Sequence, residues 1–297
     1  AVEACEGALL FATTGILCYQ VADAYHCSRA VKARHPDLPM FIGGWFASAA
    51  PEIQLRTGLY DAVAIGQGAL TFRHLVAAVD AGEPLDGVAG LALLRDGAVV
   101  RTDHRPIVGW NELPACPWHL LDIEPYRDAQ LHARGGHEAG RLLPPPGFEN
   151  EPFFGISFYA SFGCPEPCTF CCSPEMSGMR WKAMPAERMV DELCGLKERW
   201  GFDRVRFSDA NWGVAEKRSR AFAEGLLARD EAERFHWYCF IQAASILQYR
   251  DATLDRMRES GLHLVLIGGE TGDEEMLQLI GKRSEVGGNL RATQPMD

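Results

Sequence analysis

Apolar and polar positions along the chain fall into two alternating series. In the first, GALLFATTG (7–15) predicts a strand ending in a small-residue loop, and the amphipathic stretch 16–34 predicts a helix. MFIGG (40–44) predicts a second strand and PEIQLRTG (51–58) a short helix. DAVAIGQG (61–68) predicts a third strand, and 69–81 a helix stopped by Gly82. Strands alternating with helices of this length imply a parallel sheet with right-handed crossovers. Ligands of such sheets sit beyond the carboxyl ends of the strands. Here those ends read Thr13-Thr14-Gly15, Gly43-Gly44 and Gly66-Gln67-Gly68, small residues that let backbone approach a ligand closely.

LALLRDGAVVRT (91–102) then predicts a hairpin around Asp96-Gly97. A Pro-rich passage runs from Pro106 to Pro125, and 134–152 has the Gly and Pro content of a linker, placing a domain boundary there. The second series has a longer repeat. Strands are expected at 156–163, 204–209, 235–243 and 263–270, with helices at 185–201, 215–229, 251–260 and 273–281. The helix at 185–201 carries Met189, Leu193, Leu196 and Trp200 on one face. These β/α units are too few to close an eight-stranded barrel and fit the front part of a partial barrel. The segment EVGGNLRATQPMD (285–297) follows the last helical pattern without periodicity of its own.

Composition narrows the picture. The 297 residues carry 29 Lys+Arg against 40 Asp+Glu, a net charge of −11, and neither half has the basic stripe that steers a polyanion. No nucleic-acid partner is expected. No apolar run approaches the roughly 20 residues of a membrane span, so no membrane partner is expected either. The opening AVEACEGALLFATTG lacks the basic start of a signal peptide, which points to a cytoplasmic chain. Because it begins at Ala1 inside an apparent folded unit, a fragment trimmed at both ends is expected.

Ten cysteines are present, and a disulfide framework does not suit this compartment. Six sit singly in apolar or helical contexts, the pattern of buried inert thiols. Cys164, Cys168 and Cys171 form C-x3-C-x2-C in GCPEPCTFCC, on the loop after the first strand of the second series. Such thiols can ligate one soft metal centre. Structural zinc and a ferredoxin-type cluster both want four ligands, and only the adjacent Cys172 is near enough to be considered. Three thiolates leave one iron of a [4Fe–4S] cube open for a substrate or cofactor.

At these residues the sequence resembles the radical S-adenosylmethionine (SAM) superfamily: Cys164, Cys168 and Cys171, with the aromatic Phe170 before the third cysteine. The resemblance implies that the three thiolates hold the cluster. Its open iron then chelates SAM, and one-electron reduction cleaves SAM to a 5′-deoxyadenosyl radical. It also implies that Asp209 and Asn211, after the second strand, contact SAM or substrate, and that Glu270, ending the fourth, bonds the SAM ribose. The plainer roles are a helix N-cap for Asp209 and a solvated loop acid for Glu270. Lys182 stands where the family more often has Arg, and Met184 where another basic residue is common.

The first series resembles the cobalamin-binding domain that precedes the barrel in one subgroup. Thr14-Gly15-Ile16 stands for the family's Ser-x-Leu, and 26 residues (17–42) separate it from Gly43-Gly44. GQGALTF (66–72) resembles a further loop of that domain, with Gln67 in place of an acid. Thr14, Gly15, Gly43, Gly44, Gly66 and Gly68 are thus the implied corrinoid contacts. The rival for this half is a flavodoxin-like or receiver-like α/β domain whose glycines serve only tight turns.

Together these features predict an α/β chain, with a Rossmann-like parallel-sheet cobalamin-binding domain (1–86), a connector (87–150) and a partial (β/α) barrel radical SAM domain (151–297) holding about four of its strands. The implied cofactors are a [4Fe–4S] cluster, SAM and cobalamin, with methyl transfer to an unactivated carbon of a small-molecule substrate. A flavodoxin- or ferredoxin-type reductase is the implied electron donor. The rivals are a radical SAM enzyme without functional corrinoid, a non-catalytic Fe–S electron carrier and a zinc module.

Overall fold

The structure, a computed structural model, describes residues 2–132, 147 and 152–293. The chain divides into two compact units, Ala1–Val108 with Phe170–Arg180, and Gly109–Thr169 with Trp181–Asp297. Among the described residues no helix is long and apolar enough to cross a membrane.

The first unit is built on a five-stranded sheet in sequential order, β1 (Phe11–Thr14), β2 (Met40–Gly43), β3 (Ala62–Ala64), β4 (Leu91–Arg95) and β5 (Ala98–Arg101). β1, β2 and β3 are parallel, while β4 and β5 are antiparallel additions. Alternation on β2 sets the layers. Met40 and Ile42 pack with Ala24 and Val31 of α1 (Cys18–Arg34), Ala47 of α2 (Trp45–Ala49) and Leu55 of α3 (Pro51–Leu55). Phe41 points the other way, to Leu75 and Ala78 of α4 (Gly68–Ala81). The hairpin turn is formed by Asp96 and Gly97 with φ of 49° and 79°, as an Asp-Gly turn requires. The hairpin does not belong to the connector expected at 87–150, because Ala92 pairs with Val63 and makes it the antiparallel edge of this sheet.

The second unit has a four-stranded parallel sheet in the order β11-β10-β9-β6. Its strands are β6 (Gly155–Phe158), β9 (Arg204–Phe207), β10 (His236–Ile241) and β11 (Leu262–Ile267). The run expected as one strand at 156–163 is broken. β6 ends at Phe158, and β7 (Ser161–Phe162) pairs antiparallel with β8 (Lys182–Ala183). Helices follow the strands: α7 (Ala186–Trp200), α8 (Glu216–Leu227), α10 (Asp251–Glu259) and α11 (Glu274–Leu279), with α9 (Ala243–Ile246) a single turn after β10. Met189, Leu193, Leu196 and Trp200 of α7 are all buried, as their spacing predicts. They join an aromatic core of Phe207, Trp212, Phe222 and Trp237. α10 is tied to α8 through Glu216, whose Oε1 accepts hydrogen bonds from Thr253 and from the Arg250 backbone and guanidinium.

Two further elements complete the unit. α5 (Glu124–His132) and the preceding tryptophans come from the Pro-rich passage. Trp110 stacks on Phe162, while Trp118 packs against Trp200 and donates to Glu192. The segment expected to lack periodicity instead contains α12 (Val286–Ala292), where Gly288 lies against Leu247. The linker expected at 134–152 lies outside the described residues, apart from Gly147 and Pro152.

Candidate functional site

In the first unit, the carboxyl ends of the three parallel strands border a cavity of about 330 Å³. Thr14, Gly43, Gly44, Gly66 and Gly68 all line it, and Phe72 of α4 closes one side. Gly15 is not part of the lining. Its N–H donates to Gly43 O and its carbonyl accepts from Phe46, so it spaces the loops. Gly44 is obligatory: its φ is 97°, and a Cβ there would meet Thr14 Oγ1 at 2.6 Å and Gly15 O at 2.7 Å.

Two residues beyond the sequence expectations hold these loops. Buried Ser48 donates its hydroxyl to Gly44 O and accepts from Gly66 N, joining the loops after β2 and β3. Gln67 clamps Val108 at both backbone groups, accepting from its N–H and donating toward its carbonyl. A carboxylate could accept but not donate, which accounts for an amide here. α6 (Cys172–Ser177) belongs to this unit too, and a Cβ on Gly66 would lie 3.2 Å from Met176 O.

In the second unit, Asp209 is not an N-cap, and both of its carboxylate oxygens are engaged within the protein. Its Oδ1 accepts from the backbone of Ala160 and Ser161, and its Oδ2 from the Ser161 hydroxyl, with Arg218 3.6 Å away. Burial pushes its carboxyl above the usual range, opposed by Arg218 and these hydrogen bonds. Burial also pushes the Arg218 guanidinium down. Arg218 donates to Met184 O and Ala160 O and lies over the Trp181 and Trp212 rings. This pair fixes the break between β6 and β7, four residues before Cys164.

Asn211 caps the turn that follows, accepting from Gly213 N. Its Nδ2 is buried without a partner among the described residues, as are Gln242 Oε1, Asn289 Oδ1 and Ser284 Oγ. Asn211 and Gln242 follow the carboxyl ends of β9 and β10. Each such group needs a partner that water, an ion or a bound molecule can supply. Glu270, just past β11, adopts a φ of 61° and pairs at 2.9 Å with the buried ammonium of Lys282. The solvated-acid alternative is therefore set aside in favour of an ion pair that sequence spacing could not signal.

The loop that carries Cys164 and Cys168 is pinned by the turn after α11. Thr169 N donates to Ile280 O, and Gly281, with a φ of 68°, packs where a Cβ would meet Pro167 O at 2.6 Å. Arg283 approaches Glu166 at 3.5 Å. Cys164 and Cys168 are buried in this unit, whereas Cys171 and Phe170 are exposed and belong to the other. Among the described residues, no group of three His, Cys, Asp or Glu side chains is gathered as a metal-ready set; the three expected cysteines make up the candidate donor set. Its chemistry fits the expected cluster: three thiols within eight residues, none in a disulfide. By contrast, burial raises the Cys194 thiol and pushes Cys239 well above the ordinary range, matching inert core cysteines. Exposed Lys182 lies on β8, and Met184 is buried in the core.

Comparison with known proteins bears on the family and the fold. Residues 158–292 match the radical SAM superfamily model. An uncharacterized methyltransferase, PH0819, of Pyrococcus horikoshii is 29% identical over 262 residues, covering 88% of this chain and 51% of that protein. The chain thus spans about half the length of the curated relatives it matches. In fold, it is similar to the cobalamin-dependent S-adenosylmethionine radical enzyme OxsB (TM-score 0.74, 17% identity, 98% of this chain and 40% of that one). It is also similar to the radical S-adenosylmethionine methyltransferase TsrM of Kitasatospora setae (TM-score 0.70, 16% identity, 96% and 53%).

Proposed function

We propose that this chain, which carries a radical SAM domain at residues 158–292, is the core of a cobalamin-dependent enzyme that transfers a methyl group to an unactivated carbon of a small molecule. In this reading the four parallel strands of the second unit are the front of a partial barrel. The first unit is a cobalamin-binding domain, now extended beyond residue 86 to include the β4–β5 hairpin. Cys164, Cys168 and Cys171 would hold the [4Fe–4S] cluster. Thr14, Gly43, Gly44, Gly66 and Gly68 would border the corrinoid tail, with Gly15 setting their spacing. When bound, the cluster, SAM and corrinoid supply one-electron cleavage of SAM and a transferable methyl group.

The chain's own residues prepare the sites. Asp209 and Arg218 fix the approach to Cys164, and the Ile280–Gly281 turn fixes the run between Cys164 and Cys168. Asn211 and Gln242 present unpaired amide atoms where the polar ends of SAM or substrate would bind, while Glu270 and Lys282 offer a paired charge of each sign. A flavodoxin- or ferredoxin-type reductase is the proposed electron donor, and the cytoplasm the proposed compartment.

The observation that best supports the reading is the cysteine loop, pinned on both sides beside a sheet whose strand ends carry unsatisfied polar groups. Anaerobic reconstitution tests it. About four irons and four sulfides per chain, with an electron paramagnetic resonance spectrum altered by SAM, are the expected result. A cluster whose spectrum ignores SAM would overturn it, and absence of cobalamin absorbance would remove the corrinoid half.

A further inference from the structure

Resting on the radical SAM reading above, we propose that Lys282 is a positioning residue. It fixes the Glu270 carboxylate past the end of β11, so that the second oxygen of that carboxylate accepts from the ribose hydroxyls of SAM. Glu270 has a φ of 61°, a left-handed backbone that a glutamate adopts only at a cost. The side chain shows what holds it there. Oε1 accepts from Lys282 Nζ at 2.9 Å, and the lysine side chain is 5% exposed against 32% for the glutamate. Gly268 makes the room, because a Cβ there would run into Glu270 Oε1 and meet Lys282 Nζ at 3.1 Å. Glu270 Oε2 has no partner among the described residues, so its lone pairs are left for a donor from outside the chain.

Lys282 stands on a turn that is itself tied to the cysteine loop. Past the end of α11, Gly281 turns the chain back with a φ of 68°, and Lys282 N donates to Leu277 O. Ile280 O accepts from Thr169 N on one side of the lysine, and Arg283 approaches Glu166 on the other. The ammonium is thus carried by the same scaffold as the loop of Cys164 and Cys168. Asn289 of α12 pins the Glu270 loop from its other flank, donating to Gly269 O, while its Oδ1 stays buried without a partner among the described residues. Two acceptors on this loop and its support, Glu270 Oε2 and Asn289 Oδ1, therefore lack donors. A ligand rich in hydroxyls, as a ribose is, brings donors without further negative charge. Burying an ammonium for one contact adds little stability of its own. What it supplies here is a carboxylate that cannot swing away, and Lys282 acts through Glu270 without touching the ligand.

The test compares equilibrium dialysis of SAM and of its 2′,3′-dideoxy analogue against the reconstituted full chain, with iron content as the check on the cluster. The parent chain is expected to prefer SAM by roughly tenfold or more, since a site built to bond hydroxyls rejects a ligand without them. Lys282→Met should bring the two affinities close to parity with iron unchanged, and Lys282→Gln replaces it if the methionine variant loses iron. Glu270→Gln should shrink the preference likewise, and adding Lys282→Met to it should cause no further loss, because both changes act on one contact. Equal weakening of both ligands in Lys282→Met, as a purely structural role would give, would overturn the proposal, and so would a preference that survives there. A parent chain that binds SAM but ignores the missing hydroxyls would overturn it and leave the radical SAM reading standing. One that holds a cluster and binds no SAM would remove both.

Discussion

Asp209 shows how one buried carboxylate can tie the start of the cysteine loop to the sheet. It gathers two backbone N–H groups, a hydroxyl and a guanidinium from segments 9–49 residues away. Removing one partner of a buried ion pair strands the other charge, at a cost of about 3–5 kcal/mol. Asp209→Ala should therefore lower the free energy of unfolding by that much, as read from urea denaturation, and Asp209→Asn by less, because the amide oxygen still accepts. Spacing placed Asp209 at a strand end, where a ligand contact was a fair expectation. Its reach back to Ala160 depends on the β6–β7 break, which the continuous apolar run ISFYASFG conceals. Lys282 was equally hidden, since a single lysine after a helix reads as solvated until Glu270 folds onto it.

His263 carries a prediction of its own at this scale. Burial, with His236 and Arg204 nearby, lowers its pKa to about 4, from an ordinary 6.5. The folded imidazole thus stays neutral where the unfolded one takes up a proton. Stability present above pH 6.5 is lost as pH falls toward 4. Since the ring is only half buried, the loss is on the order of 1 kcal/mol after allowing for solvent screening. Unfolding midpoints in phosphate-free buffer across that range check it, and His263→Gln should flatten the slope.

Among the elements, those with a strong period were the easiest to read. α7 lies within a residue of its expected bounds because four large apolar side chains repeat on one face and Gly201 ends it. α12 escaped notice because Gly287 and Gly288 weaken its helical signal, although packing on Leu247 holds it. The loops of the first unit yield a paired test. Gly44→Ala forces a Cβ into Thr14 at an unsuitable φ, and should cost about 1–3 kcal/mol while abolishing cobalamin retention. Gly68→Ala has open space around it and an ordinary φ, so melting should be unchanged. A drop in cobalamin absorbance in that variant would then report contact with the corrinoid itself.

For the whole molecule, the two sites draw on different residues and should load independently. Alanine at Cys164, Cys168 or Cys171 should remove iron from the reconstituted chain yet leave bound cobalamin intact, as read by paired iron assay and visible absorbance. Cys172→Ala should leave both unchanged, and iron loss there would revive the four-thiolate electron carrier. Gross architecture was legible throughout, since alternation of strand and helix needs only local periodicity. Joints between segments were not, because Ser48, Gln67 and Asp209 act across 18–49 residues through one or two polar atoms each.

The order of the second sheet has a colloidal consequence. β11 is its outermost strand, and LHLVLI contains no charge, proline or glycine to discourage pairing with another chain. Prepared in isolation, this polypeptide is expected to self-associate through that hexapeptide, with light scattering that grows with concentration and incubation time. Leu264→Lys would place a charge in the stretch and slow that growth, so the same substitution is a practical route to samples that stay monodisperse long enough for the spectroscopy above.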